Sequence, residues 1–221
     1  MPIPYRDSSD RLLTDYPRPS VAVDTAVLTV TPEAELGVLL VRSEAGGWRL
    51  PGTFLHPGER LVDAVIRALD VKAGVRGLAP RQLHVFDEPD RDDRGWVLSV
   101  AHLDVVPFDS LAQDPDRATI VPTAALEAWL PAPLPYGHAQ IIAAAVAELR
   151  AEYAERPDPG GLLPEPFTLS SLRRLHEAVA SRRLLPDSFR RLMQPQLAPT
   201  DDVSEGSVGK PARLFRRAPA A

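Results

Sequence analysis

The stretch from Leu50 to Val75, LPGTFLHPGERLVDAVIRALDVKAGV, reads as a loop that feeds a helix. Pro51, Gly52, Pro57 and Gly58 punctuate its first third, where no regular element can persist. From Leu61 the pattern changes. Leu61, Val62, Val65, Ile66, Leu69 and Ala73 recur at the spacing of one helical face, and Gly74 stands where a C-terminal cap belongs. Asp63, Arg67 and Asp70, at i, i+4 and i+7, predict an ion-pair stripe along the helix.

Upstream of this helix, SVAVDTAVLTV (20–30) and GVLLVRS (37–43) are β-branched runs separated by a turn-like segment, which predicts a hairpin or adjacent strands in a buried sheet. Downstream, RQLHVF (81–86) and WVLSVAHLDVV (96–106) predict further strands around the polar DEPDRDDRG, and a short helix is expected near Thr123 to Trp129. The Ala-rich HAQIIAAAVAELRAEY (138–153) favours a long helix by propensity and stops at the breaker-rich ERPDPGG. FTLSSLRRLHEAVA offers Thr168 or Ser170 as N-cap and buries Leu172, Leu175 and Val179, and PDSFRRLM offers Asp187 or Ser188 at a second start. The remainder to Arg217 reads as two strands around a Ser/Gly tip, a β-ribbon. Three helices followed by a ribbon is the winged helix-turn-helix order. The expected organisation is a proline-bearing arm over 1–20, a mixed α/β domain over 21–135, the winged helix over 136–217 and a frayed tail over 218–221.

Among 221 residues there are no cysteines, which excludes a disulfide framework, a thiolate metal site and a cysteine nucleophile. No apolar run approaches the roughly 20 residues of a membrane span, and MPIPYRDSSD lacks an apolar signal core. A cytoplasmic bacterial protein is expected, at the nucleoid when bound to DNA. The net charge of -5 is unevenly divided. From Glu165 onward ten Lys and Arg face six acids, about +4, which leaves 15 bases against 24 acids, about -9, for the rest. An acidic body carrying a basic C-terminal module fits contact with nucleic acid.

The loop and helix resemble the Nudix box, G-x5-E-x7-R-E-U-x-E-E-x-G-U with U a bulky aliphatic residue. Thr53 falls at the leading glycine, Glu59 at the first glutamate, Arg67 at the arginine, Leu69 at the aliphatic position and Gly74 and Val75 at the end. At the three helix glutamates stand Ala68, Val71 and Lys72. Those glutamates share one helical face and hold Mg²⁺ in Nudix hydrolases; a methyl, an isopropyl and an ammonium offer a hard cation nothing. No metal site and no catalytic residue are therefore expected. Around the loop, Arg42, Arg49, Arg91 and Arg94 are candidates to pair phosphate oxygens, Trp48, Phe54 and Trp96 to stack on a base, and Glu59 completes the expected ligand-binding set.

The whole chain resembles the Nudix-related transcriptional regulators of NAD metabolism, through the degenerate box, WRLPGTF, PDRDDRGWVLSVAHLDVVP, PYGHAQII, FTLSSLRRLHEAV, SFRR and GKPARLFR. It departs from their usual pattern at Thr53, Asp92 and Gly137. The resemblance implies an α+β protein: a Nudix-like α/β/α sandwich with a mixed sheet, followed by a winged helix. It implies a homodimeric repressor of NAD genes, released from double-stranded operator DNA by ADP-ribose or another NAD-derived nucleotide, with no required cofactor. Ser188, Arg190 and Arg191 would lie on the recognition helix, and Lys210 and Arg213 on the wing. A hydrolase with residual ADP-ribose pyrophosphatase activity, a regulator answering to a sugar or sugar phosphate, and a scaffold for an acidic protein are the alternatives.

Overall fold

A computed structural model describes residues 5–44, 46–111, 114, 116–204 and 211–218. The strands β1 (Ser20–Val30), β2 (Leu36–Arg42), β3 (Trp48–Arg49) and β4 (Gly52–Phe54) precede helix α1 (Leu61–Ala73). Then come β5 (Arg81–Phe86), β6 (Val97–Val105), β7 (Ala118–Pro122) and the one-turn helix α2 (Leu126–Trp129). The long helix α3 (His138–Glu155) leads to β8 (Phe167–Thr168), α4 (Leu169–Ala180), α5 (Pro186–Met193), β9 (Leu197–Val203) and β10 (Arg213–Arg217). Residues 5–19, the expected arm, hold only an isolated bridge and a short 3-10 turn.

The main sheet runs β3-β2-β1-β6-β5, with β4 also on β1 and β7 also on β2. It is mixed: β1 and β6 are parallel, and the other pairs are antiparallel. From Ala22 to Thr29, β1 is buried at every position, because a layer covers each face of the sheet. Val23 and Val27 of β1 and Leu39 and Val41 of β2 pack with Ala64, Val65 and Leu69 of α1. Ala26, Leu28, Val38 and Leu40 face the other way, into a cluster with Ile141, Ile142, Ala145 and Leu149 of α3. The result is the expected α/β/α sandwich.

Within α1 the buried residues are Ala64, Val65, Ala68, Leu69 and Ala73. Val62 and Ile66, expected in the core, are 37% and 48% exposed, because the stripe that faces the sheet is centred on Val65, Ala68 and Leu69 and leaves them on its flank. Gly74 ends the helix at φ 65°, its N–H reaching Asp70 O at 3.0 Å while Val75 N–H reaches Leu69 O. Nor does the expected ion-pair stripe form: Arg67 turns to Glu59, and Asp70 pairs with Arg76 at 2.7 Å.

The winged helix is present as expected, with β8 as an addition: a three-stranded sheet β8-β10-β9 closes over α4 and α5. Phe167, Leu172, Phe189, Met193, Leu197 and Phe215 form its core. The tip between β9 and β10 lies outside the described residues. Division at residue 135 would assign α3 wholly to this module, yet its first turns are part of the sheet's core. Its later turns meet α4: Tyr153 stacks on His176 at 4.9 Å, and Arg150 donates to Val179 O and Ser181 Oγ. Leu175 and Val179 of α4 lie in the same cluster as Ile141 and Ile142. The core of the sheet thus takes in α3 and one face of α4, and the two modules meet in it.

Below α3, the buried Asp158 carboxylate accepts from Tyr153 Oη at 2.6 Å and from the N–H groups of Leu162 and Leu163 at 2.9 Å, and pairs with Arg217 at the end of β10. His176 Nε2 accepts the Asp158 N–H at 3.3 Å while its ring meets Phe189 at 5.0 Å. The connection between helix and wing is therefore held by buried polar contacts as well as apolar ones. Among the described residues no helix is long and apolar enough to cross a membrane.

Leu149→Ala, which removes a fully buried side chain from α3, is expected to cost about 2 to 5 kcal/mol in denaturant unfolding; a loss under about 1 kcal/mol would contradict the packing. Burial pushes the His176 imidazole down from its ordinary 6.5 to about 4. Between those values the unfolded chain binds a proton that the folded chain refuses, so this stabilisation is complete above pH 6.5 and is lost as pH falls towards about 4. His176→Gln keeps an acceptor without the titration, and unfolding measured over that window should fall less steeply for the variant than for the parent.

Candidate functional site

Six segments of the N-terminal domain converge on one small cleft. Its walls are Ala22 and Asp24 of β1, Arg49 and Leu50, Gly52, Thr53 and Phe54 of β4, Lys72 of α1, Arg91, Asp92 and Arg94 of the 87–96 loop, and Tyr136 and His138 at the start of α3. Because β4 pairs with β1, Asp24 lies opposite Gly52, while Arg49 comes from β3, paired to β2 opposite Val41. A Cβ on Gly52 would fall 2.0 Å from Asp24 Oδ1 and 2.7 Å from Val23 O, so only glycine permits this approach.

Asp24 is a carboxylate in the middle of a sheet. Ser99 Oγ donates to its Oδ2 at 2.6 Å, His138 Nε2 lies 3.2 Å from its Oδ1, and an Arg91 nitrogen lies at 3.8 Å. Burial pushes its pKa up, but His138, Ser99 and Arg91 together outweigh burial and hold it below the ordinary carboxylate range. His138 Nδ1 accepts the Leu50 N–H at 3.1 Å, which leaves the ring proton on Nε2, aimed at Asp24. The first residue of α3 is thereby bonded both to the sheet and to the loop before β4.

Arg94 is gripped from several sides. It forks onto Asp92 at 2.8 and 2.6 Å, and its guanidinium lies 4.0 Å from the Tyr136 ring centroid and 5.0 Å from that of Phe54. The Arg94 hydrogen bonds hold the Asp92 carboxyl below its usual range. Arg91 donates to Tyr136 O at 2.6 Å, yet among the described residues neither its Nε nor the buried Nε of Arg49 has a partner. Tyr136 and Gly137 both have positive φ, 57° and 66°, so the chain enters α3 through a tight left-handed step beside these arginines. Four basic side chains face two acidic ones here, and the surplus suits an anionic ligand with phosphate oxygens.

Of the expected ligand residues, the structure gathers Arg49, Phe54, Arg91 and Arg94 and leaves two elsewhere. Arg42 lies over Trp48 at 4.7 Å, beside Trp129, and neither Arg42 nor Trp48 lines the cleft. Glu59 is bound by Arg67 through two hydrogen bonds of 2.8 Å and by the His56 N–H at 2.9 Å. Arg67 holds its carboxyl well down, at about 2. Arg67 also reaches Thr53 Oγ1 and Phe54 O, so the two box residues brace the loop instead of facing a ligand. Trp96 is exposed outside the lining. Missed by sequence reading were Asp24, Tyr136, His138 and Ser99; an Asp amid an apolar strand was the available signal for the first.

The donor set does not fit a divalent ion. Ala68 and Lys72 occupy the inward positions of α1, Val71 points outward, both oxygens of Glu59 are committed to Arg67, and no trio of His, Cys, Asp or Glu among the described residues is placed to ligate a metal.

In the winged helix, α5 is anchored by Phe189 and Met193, one turn apart, while Ser188, Arg190 and Arg191 are exposed. The side chains of Arg190 and Arg191 have no hydrogen-bond or ion-pair partner among the described residues. Arg213, at the start of β10, is likewise exposed. Lys210 lies outside the described residues.

Known families match both parts of the chain. Residues 21–145 match the NUDIX domain, and residues 159–217 match the NrtR DNA-binding winged helix domain. The chain is 28% identical over 210 residues to the ADPR responsive transcriptional repressor NtrR of Acinetobacter baylyi, covering 92% of this chain and 84% of that one. It is similar to the crystal structure of Shewanella oneidensis NrtR complexed with a 27mer DNA, at 29% identity and a TM-score of 0.72, over 90% of this chain and 94% of that one. The NUDIX domain of the same Shewanella protein, complexed with ADP ribose, matches at 26% identity and a TM-score of 0.54, over 64% of this chain and 95% of that one. An α/β/α sandwich with a basic cleft, joined through a long helix to a winged helix, thus belongs to the NUDIX domain family, in the branch that carries the NrtR DNA-binding domain.

Proposed function

We propose that this protein is a homodimeric transcriptional repressor that binds operator DNA through α5 and the wing and is released when ADP-ribose occupies the NUDIX cleft without being hydrolysed. The Acinetobacter relative is an ADPR responsive repressor, and the Shewanella structures hold DNA and ADP ribose. The observation that carries the reading in this chain is the cleft itself. It keeps Arg49, Arg91, Arg94 and Phe54 for an anionic nucleotide while the metal-holding face of α1 carries Ala68, Val71 and Lys72.

Coupling follows from where α3 begins. A diphosphate taking up Arg91 and Arg94 competes with Tyr136 O and the Tyr136 ring, which immediately precede the helix. His138 transmits any displacement into α3, whose far end packs on α4 through Tyr153 and Arg150. In a dimer, moving that helix alters the spacing of two recognition helices, and half-sites about one helical turn apart tolerate little change. The division we favour places the effector domain at 21–135, the DNA-binding module at 159–217 and α3 between them. By linkage, the ligand weakens DNA binding only as far as it prefers the arrangement that DNA does not, typically about 1 to 3 kcal/mol.

In gel shifts with the region upstream of its own operon, ADP-ribose is expected to weaken binding about 5- to 150-fold, without AMP appearing in Mg²⁺. DNA affinity unchanged at saturating ligand would remove the effector. Arg190→Ala and Arg191→Ala should each cost about 1 to 3 kcal/mol on the operator and far less on random DNA if the side chains read bases. An equal loss on both DNAs would reassign them to phosphate contact.

A further inference from the structure

Lys72 stands where the Nudix pattern has its last helix glutamate, and the structure turns it inward. On a helix of 3.6 residues per turn it follows Ala68 by one turn, in the stripe that faces the sheet. Its ammonium lines the cleft and donates to the Gly52 carbonyl, beside Arg49 and Asp24. Gly52 itself passes so close to Asp24 that a Cβ there would lie 2.0 Å from its Oδ1. An ammonium has three donors, and the carbonyl uses one. Asp24 is near enough to act on Lys72 through its charge, but among the described residues no hydrogen bond or ion pair joins the two. Arg49, whose buried Nε has no partner among the described residues, faces the same space. Burial and the neighbouring Arg49 push the Lys72 ammonium below its usual range, a penalty that an adjacent anion relieves.

We propose that Lys72 is a built-in counter-cation for the diphosphate of the bound nucleotide, taking with Arg49 the place of the divalent ion that Nudix hydrolases bind, so that ligand recognition by this chain is independent of metal. This rests on the proposed binding of ADP-ribose in the NUDIX cleft. An ammonium can neutralise phosphate oxygens, but it does not generate the metal-bound hydroxide that attacks them. With Ala68 and Val71 also replacing metal-holding glutamates, Lys72 supplies charge for binding at a site that no longer provides the nucleophile.

The test is calorimetric titration of ADP-ribose into the full-length protein, once in EDTA and once in Mg²⁺, for the parent, Lys72→Met, Lys72→Gln and Lys72→Arg. The parent should bind equally well in both buffers. Lys72→Met and Lys72→Gln should bind about tenfold or more weakly in both, and Lys72→Arg should stay near the parent. The pair of neutral variants covers the case that one does not fold, judged by its thermal melt. If the parent binds only with Mg²⁺, or if a folded neutral variant binds as tightly as the parent, Lys72 is not the counter-cation, while ADP-ribose remains the ligand. If the parent takes up no ADP-ribose in either buffer, the effector reading fails and this inference falls with it.

Discussion

A carboxylate buried in the centre of a sheet must be answered by donors or it destabilises the fold, and the way Asp24 is answered organises this molecule. Its partners come from three separate elements: Ser99 on the parallel neighbour β6, Arg91 on the polar loop, and His138 at the head of α3. Satisfying that one charge fixes the loop against the sheet and registers the long helix over it. The close approach of Gly52 then sets the floor of the cleft. Removing any one partner leaves a charge without full compensation, which is why sheet, loop and helix hold a common geometry.

Much of the fold was legible because its signals are periodic and local. The buried β-branched run of β1, the capped helix α1 and the Ala-rich α3 each carry their pattern within a dozen or so residues. Val62 and Ile66 misled because apolar residues on the flank of a buried stripe have the same spacing as those within it, and only packing decides which side faces the sheet. The two-residue strand β8 was invisible for the opposite reason: Phe167 and Thr168 have no period, and their conformation is set by pairing with Phe215 and Leu214.

The cleft was legible by residue type and less so by place. Arg49, Arg91, Arg94 and Phe54 were drawn from loops near the box and do meet. Arg42 was equally near in sequence but lies on the strand's outer end, over Trp48. Glu59 kept the family's residue while losing the metal-bound neighbours that give it that task, and its pairing with Arg67 is what a glutamate does when an arginine is within reach and no cation competes. Asp24 and His138 are 114 residues apart in sequence, and no local pattern links them. Their encounter belongs to the topology.

Helix α3 walls the core of the sheet from His138 to Tyr153, and α4 of the winged helix closes that same core with Leu175 and Val179. A shared core changes what inheritance can do with such a chain. Modules joined by a slack tether can be recombined by fusion at any point along it, each half arriving ready-made. Here a crossover before or after the helix strips the sheet of part of its interior. New chemical signals must therefore be acquired in place, by altering the rim of the cleft residue by residue, and the lineage keeps sensor and reader together.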